Sequence, residues 1–97
     1  MGAAAVKQVC AHLILRGIVQ GVGFRYFAMR WAQQLKLTGW VRNNWDGSVE
    51  TEIEGNGSAV EEYIAQMKIG PRASHVTAIE VEYKPYTGKY TRFDITR

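Results

Sequence analysis

The sequence predicts an α+β fold with two helices on one face of an antiparallel sheet, in the order β-α-β-β-α-β plus a short terminal strand. Three observations carry that reading. Residues 48–54 alternate between core-type and glutamate side chains, two segments carry apolar residues at helical spacing, and glycine marks the breaks between them.

Residues 9–18 are mostly apolar and partly alternating, with Leu13 and Leu15 on one face and His12, Ile14 and Arg16 on the other, which predicts the first strand. Gly17, Gly21 and Gly23 then mark a loop. Phe24, Phe27, Ala28, Trp31, Ala32 and Leu35 follow with the wide apolar stripe of an amphipathic helix, which Gly39 ends as a breaker. Residues 40–45 read as a second strand closed by Asp46-Gly47, a strong hairpin signal. In the third strand Val49, Thr51 and Ile53 face the core while Glu50, Glu52 and Glu54 face water. Ser58 and Glu61 form a capping box before Val60, Tyr63, Ile64 and Met67, and Gly70-Pro71 stops that second helix. A fourth strand spans about residues 76–83, with Ile79, Val81 and Tyr83 on one face, and Phe93 and Ile95 suggest the short fifth.

This order is the split βαβ arrangement of the ferredoxin-like fold. A right-handed crossover makes strands one and two parallel with strand three between them, so their carboxyl ends share one edge of the sheet. Chemistry is therefore sought where residues 17–25 and 43–44 meet.

The composition sets bounds on that chemistry. A chain of 97 residues with 46% apolar and 22% charged side chains supports one core, so a single domain is expected over residues 8–97 behind a flexible lead-in over residues 1–7. The formal net charge of +3 suits a small anionic ligand better than the dense basic stripe of a dedicated nucleic-acid binder. One cysteine, Cys10, excludes an internal disulfide framework and fits a reducing cytoplasm. The apolar residues 1–6 are too few for a signal-peptide core or a membrane span, so no membrane partner is expected.

Residues 17–25 read GIVQGVGFR and run into the first helix. Glycines at 21 and 23 permit backbone conformations that aim consecutive N–H groups into one concavity, and a helix N-terminus adds unpaired donors and a favourable dipole. Arg25, in the first turn, leans back toward the same place. Such loops also serve merely as tight turns, and the spacing alone is compatible with both. It is neither a Walker loop, lacking Gly-Lys-Ser/Thr, nor a G-x-G-x-x-G dinucleotide fingerprint. Across the sheet edge, residues 39–43 read GWVRN, and the Asn43 amide could hold a water molecule against an electrophile, or could belong with Asn44 to turn chemistry.

Together, GIVQGVGFR and GWVRN resemble the two signature segments of the acylphosphatase family, and the resemblance runs from about Val9 to the C-terminus with both motifs complete. It implies metal-independent hydrolysis of the carboxyl–phosphate bond of acyl phosphates, giving a carboxylate and inorganic phosphate, with no cofactor. It also implies that Arg25 binds the phosphate, that Asn43 positions the attacking water, and that backbone amides of Gln20, Gly21, Val22, Gly23, Phe24 and Arg25 cradle the phosphoryl group. A cytoplasmic monomer is expected. A pocket that grips only phosphate leaves the acyl group unspecified.

Other residues invite other readings. Cys10 and His12 share a strand face, but a cysteine in a buried-type strand is ordinarily an inert small hydrophobe. His75 has no second ligand nearby, so no metal is expected. Trp40, Trp45, Tyr86 and Tyr90 could stack on bases, and RNA-recognition modules share this fold. Glu50, Glu52 and Glu54 on an exposed sheet face would repel RNA. A non-catalytic phosphate- or RNA-binding module is the alternative, separated from an enzyme by whether the chain releases phosphate from an acyl phosphate.

Overall fold

The computed structural model describes residues 7–97, so the lead-in expected over residues 1–7 lies, apart from Lys7, outside the described residues. The elements are β1 (Gln8–Ile18), α1 (Phe24–Gln34), β2 (Thr38–Asn43), β3 (Val49–Asn56), α2 (Gly57–Ile69), β4 (His75–Lys84) and β5 (Phe93–Ile95). They form a five-stranded sheet in the order β4-β1-β3-β2-β5. Strand β3 is antiparallel to both β1 and β2, which makes those two parallel, as the crossover argument requires.

Alternation decides which face is buried. Ala11, Leu13 and Leu15 of β1, Val41 of β2 and Val49 and Ile53 of β3 form one core with Phe24, Ala28 and Ala32 of α1 and Val60, Tyr63, Ile64 and Met67 of α2. Both helices therefore cover the same face. The buried Tyr63 hydroxyl is satisfied by Thr51 at 2.8 Å.

Several local expectations are corrected. The sheet is mixed, because β5 pairs with β2 in parallel. Residues 85–92 leave β4 and enter β5 at the same end of the sheet, which makes β5 run against β4 and hence with β2. Gly39 is not a breaker but lies inside β2, where a Cβ would stand 1.9 Å from the Glu52 carbonyl oxygen. Helix α1 instead ends at Gln34, and Lys36 turns the chain in the left-handed region (φ 59°). Helix α2 is capped by Asn56, whose side chain accepts from the Ser58 N–H at 3.0 Å, so the Ser58–Glu61 capping box does not form.

The glutamate face of β3 is also not in water. Glu52 and Glu54 are 4% and 1% exposed, because residues 84–90 run back over this face as a strap. Glu54 accepts from the Thr87 N–H, the Thr87 hydroxyl and the Gly88 N–H at 2.7–2.9 Å. Glu52 accepts from Lys84 at 2.9 Å and from the Tyr90 hydroxyl, and Glu50 is held by His12 at 2.6 Å and Arg42 at 2.8 Å. Buried carboxylates are tolerated because each has charge-assisted partners.

Burial pushes the Glu54 carboxyl up, but the Thr87 and Gly88 donors outweigh it and hold it below the usual range; Glu50 and Glu52 are lowered by the same balance. A carboxylate depressed in the folded state contributes stability above its unfolded pKa of about 4.3 and loses it as pH falls through the folded value. Glu54→Ala leaves the Thr87 and Gly88 N–H groups unpaired and is expected to cost about 2–4 kcal/mol near pH 7. Urea midpoints check this, and the variant should also lose less stability than the parent below about pH 4. An unchanged midpoint at neutral pH would show that Glu54 does not hold the strap.

Candidate functional site

Strand β1 delivers Val19, 1% exposed, into the core, and the chain then makes its glycine loop. Gly21 (φ 73°) and Gly23 (φ 79°) both take the left-handed conformation, and a Cβ at either would meet nothing within 4 Å. Glycine is required here by backbone conformation and not by crowding, and the space beside the loop is open. Val22 packs partly against the core, and Phe24, 2% exposed, pins the start of α1 beneath the loop.

The two helices begin differently. Asn56 caps α2, whereas α1 starts from Gly23 with no side-chain cap and no acidic residue in its first turn. Its first hydrogen bond to the loop runs from the Phe27 N–H to the Gly23 carbonyl at 3.0 Å, so the N–H groups of Phe24, Arg25 and Tyr26 precede any intrahelical acceptor. Arg25 is exposed, and among the described residues no carboxylate pairs with it. Unpaired donors, a dipole and an unshared guanidinium thus sit together at one helix end, an arrangement suited to a phosphoryl group.

Asn43 is the last residue of β2, paired in register with Val49. Its Oδ1 is buried without a hydrogen-bond partner among the described residues. A buried amide oxygen without a partner among the described residues can accept from a water or a ligand.

The turn that follows is firmly braced. The Asn44 N–H donates to the Ser48 carbonyl at 2.9 Å, and the Gly47 N–H to the Asn44 carbonyl at 3.2 Å, with Gly47 at φ 90°. This is a hairpin at the predicted Asp46-Gly47, of the three-residue-loop kind. Asp46 accepts from the Ser48 N–H and hydroxyl and from Arg16, which together hold its carboxyl down at about 2. On the opposite sheet face Arg42 lies 5.0 Å over the Trp40 ring and binds Glu50 and the Asn44 side chain.

The loop and the turn touch through Gln20. Its side-chain amide donates to the Asn44 carbonyl at 2.7 Å and the Ser48 carbonyl at 2.9 Å. The shared edge inferred from topology is therefore a physical contact between the glycine loop and the residue next to Asn43. Sequence reasoning assigned Gln20 only a backbone role and missed its side chain. The Arg16–Asp46 brace was missed too, although Asp-x-Ser at 46–48 is a turn signal.

Neither Cys10 nor His12 is available for chemistry, and Trp45 and Tyr86 stand exposed. His12 is engaged by Glu50, and burial, with Glu52 and Glu54 nearby, pushes the Cys10 thiol up to about 12, so the pair offers no nucleophile. Among the described residues no three His, Cys, Asp or Glu side chains cluster to hold a metal, and no helix is long and apolar enough to cross a membrane. A broad groove of about 1060 Å³ opens at the other end of the sheet, between residues 7–9, the start of α2 and residues 83–86, away from the loop and Asn43.

Comparison with known proteins agrees over nearly the whole chain. The family model described as Acylphosphatase matches residues 11–95. The chain is 45% identical to the acylphosphatase of Moorella thermoacetica over 86% of its own length and 89% of that protein. It is 42% identical to the acylphosphatase of Syntrophotalea carbinolica over 93% and 98% of the two chains. The crystal structure of acylphosphatase from Bacillus subtilis superimposes with a TM-score of 0.89 at 39% identity, covering 92% of this chain and 99% of that one.

Proposed function

The chain belongs to the acylphosphatase family and hydrolyses acyl phosphates, and from that premise we propose that Arg25 and the residue 20–25 amides bind the phosphoryl group while Asn43 aims the attacking water. The observation that carries this reading is the uncapped start of α1, where free N–H donors and an unpaired arginine coincide. The orphaned Asn43 Oδ1 supports the second half.

Water held by Asn43 attacks phosphorus in line. The new bond forms between the water oxygen and phosphorus as the bond from phosphorus to the carboxylate oxygen breaks, and the carboxylate leaves with the electron pair. No side chain at the site is a ready general base, so the water's proton goes to a phosphoryl oxygen. A carboxylate leaves readily without a general acid, and catalysis rests on positioning and on stabilising charge over the phosphoryl oxygens.

We read this as a metal-independent reaction of a cytoplasmic monomer. The donors around the loop are amides and a guanidinium, which replace a metal's charge, and the described residues offer no ligand cluster. Benzoyl phosphate hydrolysis should persist in excess chelator, and phosphate monoesters should turn over far more slowly because an alkoxide leaves poorly unprotonated. Activity abolished by chelation and restored by a divalent ion, or equal rates on both substrate classes, would refute the mechanism.

A nucleic-acid module is disfavoured on revised grounds. The β3 glutamates are paired and partly covered, so repulsion from an open acidic face no longer applies. The same strap crosses the sheet face on which such modules stack bases, and there the Trp40 indole N–H donates to the Tyr90 hydroxyl, which in turn donates to Glu52.

A further inference from the structure

We propose that the Gln20 side chain is a positioning strut that fixes the distance between the phosphate loop and Asn43, a role that rests on the site reading above. Both its partners are carbonyl oxygens, so only the NH₂ end of the amide can face them and its orientation is unambiguous. Both NH₂ hydrogens are spent on protein acceptors, so the side chain is not offering them to substrate.

The two acceptors lie at the neck of one turn. The Asn44 N–H closes that neck on the same Ser48 carbonyl, so Gln20 grips a unit that is already rigid. Asn43 is the residue immediately before it. On the loop side, Gln20 directly precedes Gly21, where a left-handed glycine gives the backbone its least intrinsic restraint. One neutral side chain therefore ties the glycine loop of the site to the braced turn. Arg16 braces the same turn through Asp46, but from the sheet side and through exposed groups. It does not reach the loop.

Positioning of this kind acts on turnover. Phosphate is held by groups on the loop itself and needs no fixed distance to Asn43, whereas in-line attack does. Gln20→Met keeps the length of the side chain and removes both donors. It should lower kcat for benzoyl phosphate about tenfold to a hundredfold, the scale of an ångström-sized misplacement. The inhibition constant for inorganic phosphate should change less than about threefold. In an Asn43→Ala background the same substitution should cost less than about twofold, since no aimed water is left to misplace.

Gln20→Glu guards against a folding defect. Its carboxylate would repel the two carbonyls, while its protonated form restores one donor, so activity relative to the parent should rise as pH falls from about 7 to about 5. That recovery occurs within one folded sample and is not expected from a general loss of stability. The proposal is overturned if Gln20→Met keeps full kcat, if phosphate affinity falls in step with kcat, or if the two substitutions combine additively. Full activity in Asn43→Ala alone would overturn the site reading and the strut with it.

Discussion

Arg25→Ala is expected to lower kcat/KM for acyl phosphate hydrolysis by on the order of 10²–10³ and to weaken inorganic phosphate binding as well. The guanidinium is exposed and unpaired among the described residues, so it is free to serve the ligand in both ground and transition states. Removing a hydrogen bond to a charged group is worth about 1.5–3 kcal/mol, which corresponds to roughly tenfold to a hundredfold in phosphate affinity. Stability should hardly change, because the neighbouring Phe24, not Arg25, anchors the helix start. Arg25→Lys keeps the charge but loses the planar fork, and should recover only part of the loss. Calorimetric phosphate binding beside steady-state rates checks all three statements. Unchanged phosphate affinity in Arg25→Ala would remove Arg25 from the binding site.

Asn43→Ala is expected to separate turnover from binding. Phosphate affinity should stay within about twofold of the parent while kcat falls by on the order of 10² or more. Its Oδ1 has no partner among the described residues, so truncation there breaks no hydrogen bond within them. The variant should melt at or near the parent temperature. Single-turnover rates and thermal melts are the relevant measurements. Full activity, or a loss of phosphate binding as severe as that of Arg25→Ala, would show that Asn43 does not hold the water.

Much of this fold was legible because patterning and burial agree along most strands and both helices. Leu13 and Leu15 alternate as β1 requires, and Val60, Tyr63, Ile64 and Met67 all reach the core. Both motif segments also lie where the crossover places them, and the Gln20 bridge gives that adjacency a hydrogen-bonded form. What misled was the assumption that polar means wet. Glu52 and Glu54 alternate as solvent-facing residues do, yet they are buried by residues 84–90, a stretch with no periodicity to announce where it goes. The parallel pairing of β5 was hidden for the same reason, since its direction is set by the path of that stretch. Asn56 displaced the predicted cap because Asn56 and Ser58, two positions apart, could each do the job, and local sequence does not rank them. The bridge itself escaped notice because a glutamine in a loop carries no pattern.

The strand order has a consequence for how the chain reaches this state. Only β2 and β3 are joined by a tight turn; Leu13 must find Thr51 and then Val81, and Phe93 must find Gly39. Such distant pairings make folding slower than that of a helical bundle of equal size. During synthesis β1 emerges first, yet it waits for β3 and then β4 before both its edges are satisfied. An apolar strand with open edges is the species most prone to associate with its own kind. The first-made strand is thus the one most in need of protection while the rest of the molecule is still being built.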